Sequence, residues 1–403
     1  MGKKIVLTGL VVLLVGAGIA FAQGLTTQEQ LGKDLFFDTN LSTPSGQSCA
    51  ACHAPNVGWT GPDPAINAGG AVYEGAVPGR FGNRKPPATA YAGDSPLLYF
   101  DGTNWVGGMF WDGRATGKRL KDPLAEQAQG PFLNPLEQNV PDSRTLCGKI
   151  RSSSYAALFE EAWGKGSLEC GDDVGRTYDR VARSIAAYER SGEANPFTSK
   201  FDYRSKKKAA FSEEEKAGLA LFEGKGKCAE CHPNKPARKG KPPVFTDFTY
   251  DNLGVPKNPA NPFYSMPAKW NPEGAAFVDP GLGGTLKDAG YTAKTFKTEM
   301  GKFKVPTLRN VDRRPSPGFV KAYGHNGYFK SLKEIVHFYN TRDVLERCEG
   351  KPDPRPGVNC WPAPEVSANL NREELGNLGL TDAEENAIVA FLGTLTDGYV
   401  PEK

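Results

Sequence analysis

Two short stretches of the chain, Cys49-Ala50-Ala51-Cys52-His53 and Cys228-Ala229-Glu230-Cys231-His232, decide how it folds. In each, two cysteines are separated by two residues and a histidine follows directly, which is the pattern of covalent haem attachment in c-type cytochromes. The thiols add to the vinyl groups of one haem, and the histidine then lies under the iron. A redox dithiol or half of a zinc site is the alternative, but neither explains the histidine after both pairs. The sequence therefore predicts two covalently bound haem c groups, with His53 and His232 as ligands of their irons.

The first residues have the features of a secretory signal peptide. Lys3 and Lys4 give a basic start, an apolar run follows, and Ala20-Phe21-Ala22 places small residues at the two positions that a signal peptidase reads. We expect residues 1–22 to be removed by cleavage after Ala22, and the mature chain to be periplasmic. The alternative is an uncleaved anchor, since the apolar run is nearly long enough to span a membrane. No later segment is apolar enough to do so.

The composition indicates a loop-rich protein that needs a large apolar cofactor in its core. The 403 residues suggest about two domains at roughly 150 residues each, and they include 47 glycines and 32 prolines. Without Lys3 and Lys4 the chain has 47 basic and 46 acidic residues. This balance gives no reason to expect a nucleic-acid partner.

The four cysteines outside the haem stretches predict two disulfide bonds. Cys147 lies near Cys170 in sequence, and Cys348 lies near Cys360. An exported chain meets an oxidising compartment, where such pairs form disulfides. We expect the bonds Cys147–Cys170 and Cys348–Cys360, although the spacing alone leaves other pairings open.

Similar helices precede the two haem stretches, which indicates an internal duplication. Five positions recur with a constant offset of 186 residues, and two of them form a capping box in each half. The first set is Thr26, Glu29, Gly32, Leu35 and Phe36, and the second is Ser212, Glu215, Gly218, Leu221 and Phe222. Closing helices are predicted over Tyr178–Arg190 and Thr381–Leu395. We expect a mainly α, loop-rich fold of two c-type cytochrome domains, 23–195 and 196–403.

The supply of iron ligands differs between the halves. Between Ala54 and Cys231 there is no histidine, and Met109 is the only methionine. A haem with an open axial position can bind peroxide, whereas two strong ligands favour electron transfer. The first haem is therefore expected to have an open site. The second half offers several candidate ligands, among them Met266, Met300, His325, His337 and tyrosines.

A predicted helix that begins at Ser331 helps to choose among these candidate iron ligands. Ser331 and Glu334 form a capping box, and a buried stripe follows. The stripe consists of Leu332, Ile335, Val336 and Tyr339. His337 points roughly 200° away from Tyr339. Tyr339 faces the second haem if this helix covers it, and from periodicity alone an ordinary core aromatic is the alternative.

Further motifs resemble those of the bacterial di-haem cytochrome c peroxidases and MauG-type enzymes. They cover nearly the whole mature chain in the order that the family has them. The matching stretches are Phe110-Trp111-Asp112-Gly113-Arg114, 127–137 (QAQGPFLNPLE), 305–310 (VPTLRN), Gly324-His325-Asn326-Gly327 and Ser331-Leu332-Lys333-Glu334.

The resemblance implies roles for residues of the first half. Glu137 matches the acid–base residue, Gln127 lies beside it, and Pro131 lies near the open iron. Trp111 matches a tryptophan between the haems. The chemistry agrees, because a carboxylate within one water of the iron can move a proton between the two peroxide oxygens. The apolar, proline-rich turn around Glu137 should raise its pKa by burial.

The resemblance also implies ligands in the second half. Tyr339 falls where the peroxidases have methionine and MauG-like members have tyrosine, so we expect it to bind the second iron. Met300 is the competitor, but it lies outside the helix that carries the family ligand. His325 is expected to contact a haem propionate, with a structural loop histidine as the alternative.

One calcium ion is a further expectation from the resemblance. Asn83 and Pro306 lie near segments that supply an inter-haem calcium site in the family. Lys85, however, occupies the position that aligns with a family asparagine.

These roles imply an enzyme that activates hydrogen peroxide at the first haem and shares the oxidising equivalents with the second. Methionine ligation raises the potential of a haem, and a tyrosinate should lower it. A tyrosine-ligated haem accepts electrons poorly from ordinary cytochromes, which favours MauG-like oxidation of a partner protein. The alternatives are a peroxidase that detoxifies peroxide with electrons from a small cytochrome or cupredoxin, and a di-haem electron carrier without catalysis.

Overall fold

The computed structural model describes residues 24–236 and 240–401, and they are mainly helical with little sheet. The expected signal peptide and its cleavage site after Ala22 lie outside the described residues. The helices are α1 (Thr27–Phe37), α2 (Pro64–Ala68), α3 (Pro123–Leu133), α4 (Ser143–Arg151), α5 (Ala156–Trp163), α6 (Val174–Arg190), α7 (Lys200–Ser205), α8 (Glu213–Glu223), α9 (Leu282–Asp288), α10 (Ala293–Lys297), α11 (Leu332–Thr341) and α12 (Asp382–Gly393). Within the described ranges, no helix has the length and apolar character needed to cross a bilayer.

Short strands tie loops together in pairs. The strands are β1 (Tyr99–Phe100), β2 (Trp105–Val106), β3 (Tyr250–Asp251), β4 (Phe303–Lys304), β5 (Glu346–Arg347) and β6 (Cys360–Trp361). β1 pairs with β2 and β3 with β4 in antiparallel fashion, and β5 pairs with β6 in parallel. With strands this short, packing between helices must hold the fold together.

The predicted helix starts are confirmed at all four positions, because Thr26, Ser212, Ser331 and Thr381 are each the N-cap of a helix. Thr26, Ser212 and Thr381 each form a complete capping box with the glutamate three residues later. The capping box predicted at Ser331 is only half formed. Its hydroxyl accepts from the Glu334 amide, but the Glu334 carboxylate reaches one residue further back and accepts from the Lys330 amide at 2.6 Å.

Both halves contain a close crossing of two helices. α1 crosses α6, and α8 crosses α12 in the same way. A Cβ atom at Gly32 would overlap the Ser184 carbonyl oxygen, and one at Gly218 would overlap the Ala387 carbonyl oxygen. Only glycine lets these backbones approach so closely. The Cβ atom of Tyr188 lies beside Gly32, and the Cβ atom of Phe391 lies at the equivalent place beside Gly218.

Gly218→Ala is therefore expected to lower the free energy of unfolding of the holoprotein by about 1–3 kcal/mol, the usual range for overpacking. The control is Gly148→Ala, since Gly148 is exposed in the middle of α4 and a Cβ atom there meets open space. That substitution should raise the free energy of unfolding by about 0.4–1 kcal/mol. Urea unfolding measures both changes. Equal effects from the two substitutions would contradict a tight crossing.

Two large apolar clusters form the core, one in each half. Between the two clusters, buried polar and charged side chains from several parts of the chain pack around the predicted domain boundary. Arg309 is fully buried and pairs with Asp202 at 2.7 Å, while Asp397 accepts from the Tyr91 hydroxyl at 2.6 Å and from the Thr198 amide. The predicted boundary at 195/196 thus lies in packed chain, and the division into two domains stays a prediction.

Both predicted disulfide bonds are confirmed. Cys147 in α4 bonds to Cys170, and Cys348 bonds to Cys360 in β6. The four cysteines of the haem stretches are not bonded to one another. Their thiols are thus free to react with a cofactor.

Candidate functional site

Each haem-attachment stretch borders a large cavity. The first cavity has a volume of about 1180 Å³ and is lined by Cys49, Cys52 and His53. The second has a volume of about 1350 Å³ and is lined by the corresponding residues 228, 231 and 232. Both volumes include space that is open to solvent. Each cavity brings two free thiols and one imidazole to the same space.

The two stretches adopt the same local turn. Cys49–Ala51 and Cys228–Glu230 are single 3₁₀ turns. The amide of His53 donates to the Cys49 carbonyl at 3.0 Å, and the amide of His232 donates to the Cys228 carbonyl at 2.9 Å. This short turn is what lets the cysteines and the histidine of one stretch border the same cavity.

Both histidines are held in the form that binds iron. The Nδ1 of His53 lies 2.9 Å from the Pro87 carbonyl oxygen, and that of His232 lies 2.8 Å from the Phe245 carbonyl oxygen. A carbonyl can only accept, so each Nδ1 carries the hydrogen and each Nε2 keeps its lone pair. Burial lowers the pKa of each histidine to about 4, which keeps both neutral at pH 7. These residues fit one haem per cavity.

The residues predicted for peroxide chemistry meet at the first cavity. α3 carries Gln127 and Pro131 one turn apart, and the turn after the helix carries Glu137. The Glu137 amide donates to the Asn134 carbonyl at 3.0 Å, which closes that turn. All three predicted residues line the cavity that holds His53.

Burial raises the pKa of the Glu137 carboxyl group, and Arg114 and then Asn134 partly oppose that rise. Arg114 lies with its guanidinium 3.7 Å from the centre of the Phe110 ring and pairs with Asp112 at 2.9 Å. It also lines the first cavity. Arg114 lies in one of the motifs of the sequence, but its role could not be predicted, because only the fold brings it close to Glu137.

Trp111 lines both cavities. Its indole N–H donates to the Lys85 carbonyl at 2.8 Å, and its carbonyl accepts from the Lys304 amide of β4 at 2.8 Å. These two bonds hold the ring in the wall that the cavities share. Its role between two haems stays a prediction from the resemblance.

The second cavity is covered by α11. Its predicted stripe of Leu332, Ile335, Val336 and Tyr339 lines this cavity. His337 lies elsewhere, with Nδ1 2.8 Å from a Glu385 oxygen. Burial raises the pKa of Tyr339, and the nearby Cys231 thiol adds to the rise.

The competing ligand Met300 lies away from the second cavity. Its sulfur packs against Gly283 in α9, where a Cβ atom added to the glycine would lie only 2.6 Å from the sulfur. It is not among the residues that line either cavity. Of the two candidates, only Tyr339 borders the cavity that His232 lines, and its binding to an iron stays a prediction.

His325 also lines the second cavity. Its ring stacks on Phe303 with ring centres 3.5 Å apart, and its Nε2 lies 3.7 Å from a Glu365 oxygen without a hydrogen-bond partner in the described chain. The imidazole is buried and rigidly held. Its contact with a propionate stays a prediction.

The residues expected at a calcium ion are engaged in other contacts. Asn83 donates to Asp279 at 3.2 Å, and Arg84 pairs with the same carboxylate at 2.6 Å. Pro306 borders the second cavity, whereas Asn83 borders the first. The Lys85 ammonium is buried beside Thr60 at 3.0 Å. Two cations already occupy this region, so these contacts do not support a calcium ion, which stays a prediction from the resemblance.

The sequence of this chain is similar to a family model and to known proteins. Residues 26–210 match the family model described as di-haem cytochrome c peroxidase. The chain is 36% identical to the methylamine utilization protein MauG of Paracoccus denitrificans, over 91% of this chain and 88% of that protein. It is 28% identical to the cytochrome-c peroxidase IdrP1 of Denitromonas iodatirespirans, over 91% of this chain and 80% of that protein.

A solved structure shows the same architecture. The diheme peroxidase BthA of Burkholderia thailandensis superposes with a TM-score of 0.74 at 32% identity, over 94% of this chain and 88% of that one. The family implies two haem groups, and the two cavities offer a place for each. The chain therefore belongs to the di-haem cytochrome c peroxidase and MauG family of haem oxidoreductases.

Proposed function

We propose that this protein is a periplasmic di-haem c-type enzyme that activates hydrogen peroxide at its first haem and uses the oxidising equivalents on a partner protein, as the MauG resemblance implies. Covalent attachment through Cys49 and Cys52, and through Cys228 and Cys231, is part of the proposal. The observation that carries it is the placement of two predicted residues. Glu137 borders the first cavity beside Gln127 and Pro131, and Tyr339 borders the second cavity on the covering helix.

The first cavity is suited to proton transfer. The haem that Cys49, Cys52 and His53 would hold would supply peroxide binding and redox chemistry. Glu137 accepts the proton of the inner peroxide oxygen on its carboxylate and returns it to the outer oxygen. Gln127 offers an amide N–H to orient the peroxide or the Glu137 oxygens. Pro131 and Phe110 contribute apolar surface that excludes water.

The second cavity favours partner oxidation over electron uptake. Tyr339 of α11 and His232 are the side chains that would hold the second haem iron. An anionic phenolate stabilises ferric iron, whereas methionine raises the haem potential. Trp111, in the wall of both cavities, is suited to pass charge between them.

Peroxide turnover separates this proposal from its rivals. The purified holoprotein is mixed with hydrogen peroxide, with and without a reduced small cytochrome c or cupredoxin. We expect peroxide to be consumed only in proportion to the protein present, because the two haems must themselves supply the electrons, with little oxidation of the small donor. Fast donor oxidation would support the detoxifying peroxidase, and the absence of any turnover would support an electron carrier.

Two covalent haems per chain are expected. Mass spectrometry of the exported protein should show two haem additions and a chain that begins at Gln23. A variant with Cys228→Ser and Cys231→Ser should show one addition, and the Cys49→Ser and Cys52→Ser variant should also show one. A single addition in the unaltered protein would overturn the two-haem proposal.

We further propose that the halves 23–195 and 196–403 arose by internal duplication. The repeated 3₁₀ turns support this, as do the matching glycine crossings at Gly32 and Gly218. The proposal predicts that residues at equivalent places border equivalent parts of the two cavities. One such pair differs in chemistry.

A further inference from the structure

Glu189 is a buried carboxylic acid beside the first haem site. It is the second-last residue of α6 and is 2% exposed. Its Oε2 has no hydrogen-bond partner in the described chain. It lines the first cavity together with Cys49, and its charge is one of the causes that raise the pKa of that thiol. A buried, unpaired carboxyl group is costly, so its presence calls for a reason.

The second half shows what the fold itself requires at this place. The two glycine crossings make Tyr188 equivalent to Phe391, so Glu189 is equivalent to Leu392. Leu392 lines the second cavity, as Glu189 lines the first. An apolar side chain satisfies the packing there. The carboxyl group is therefore an addition that is specific to the first haem site.

The surroundings of Glu189 favour its protonated form. Burial raises its pKa to about 8, Arg190 lowers it, and Asp122 raises it. Arg190 is committed to Asp122 through two bonds of 2.7 and 2.8 Å. The C-terminal end of α6 adds a negative helix dipole, which also disfavours a carboxylate.

Charged groups on the helices packed against α6 are engaged elsewhere. On α1, Lys33 pairs with Glu193 and Asp34 accepts from Gln30. On α3, Glu126 accepts from the amides of 117, 119 and 120. On α4, Lys149 donates to two backbone carbonyls.

The charged side chains that share the first cavity with Glu189 are Glu137, Arg84, Lys85 and Arg114, and His53 and Tyr73 are its other titratable groups besides the cysteines; the haem is the remaining centre of variable charge. Arg84 is paired with Asp112 and with Asp279, both at 2.6 Å. Lys85 donates to Thr60 and to the Pro86 carbonyl, both at 3.0 Å. Arg114 is paired with Asp112. Of these groups, Glu137 is the other carboxyl, and it must be tested separately.

We propose that Glu189 carries a proton coupled to the redox state of the first haem, holding it while that haem is ferrous and releasing it as that haem becomes ferric. The electron goes to a one-electron oxidant, such as the electrode in the titration below, and the proton goes to water. The carboxylate then offsets the positive charge gained by the haem. This inference rests on the first haem of the proposed function but not on its peroxide chemistry.

The test is a spectroelectrochemical titration of the first haem in the full holoprotein between pH 5 and pH 10. One proton per electron makes the potential fall by about 59 mV per pH unit, the tenfold change for a one-electron couple. We expect this slope in an interval that includes pH 8. Glu189→Gln should abolish it, Glu189→Asp should keep a sloping interval, and Glu137→Gln should leave the slope unchanged.

A second readout is the infrared difference spectrum between the reduced and oxidised protein. The band of a protonated carboxyl group should disappear on oxidation, and this change should be absent from Glu189→Gln. A flat potential in the unaltered protein, or a wild-type slope in Glu189→Gln, would overturn the inference. Haem count and peroxide turnover on the same samples report separately on the proposed function.

Discussion

Glu137→Gln is expected to keep both haems and to slow the cleavage of hydrogen peroxide by about 10²- to 10⁴-fold, the usual contribution of a positioned acid–base group. Glutamine has nearly the same shape but cannot take the proton from the inner peroxide oxygen. Since Glu137 is held in a closed turn after α3, the substitution should not disturb the cavity. Stopped-flow absorption after mixing with peroxide measures the rate.

The pH dependence of this rate gives a second test of the role of Glu137. A base acts in its deprotonated form, so the rate should fall as the pH drops through the pKa of Glu137. Burial raises that pKa, and the acid limb should therefore lie above the range of an exposed glutamate. Glu137→Gln should remove this limb.

The control for Glu137→Gln is Glu161→Gln. Glu161 is an exposed glutamate of α5 that does not line the first cavity. Its replacement should leave both the rate and the pH profile unchanged. If Glu137→Gln cleaves peroxide at the unaltered rate, the carboxyl group has no part in the mechanism.

Features encoded by neighbouring residues could be predicted from the sequence. The haem stretches, the capping boxes and both disulfide pairs depend on short spacings, and the structure has the boxes at Thr26, Ser212 and Thr381 as predicted. The predicted helix over Tyr178–Arg190 exists but begins at Val174. Helix ends depend on contacts beyond the apolar stripe, so periodicity did not locate this start.

Features that depend on distant segments could not be predicted. The carbonyls that orient His53 and His232 come from residues 34 and 13 positions away. Glu189 lies at the end of the predicted helix Tyr178–Arg190 and precedes an arginine, which is the pattern of an exposed helix end. Its burial arises because α1 and α3 pack over α6 beside the first cavity. Only the folded arrangement shows that this glutamate lies where the other half has Leu392.

Tyr339→Phe is expected to remove the sixth ligand of the second haem and to abolish partner oxidation while peroxide still binds at the first. The phenol oxygen is the atom lost, and phenylalanine keeps the packing of the ring beside Ile335 and Val336. Electron paramagnetic resonance and absorption spectra should show the second haem change from low spin to high spin. Glu137 and the first cavity are untouched, so the rate of peroxide cleavage should change far less than in Glu137→Gln.

Two further substitutions decide between a tyrosine-ligated and a methionine-ligated second haem. Met300→Leu should leave the spectrum of that haem intact, because Met300 packs against Gly283 outside both cavities. Tyr339→Met should raise the potential of the second haem and let a reduced small cytochrome c donate electrons to it, since methionine favours ferrous iron. If Tyr339→Phe leaves the second-haem spectrum unaltered while Met300→Leu changes it, Tyr339 is not the ligand. The protein would then be a methionine-ligated peroxidase that draws its electrons from a small redox protein.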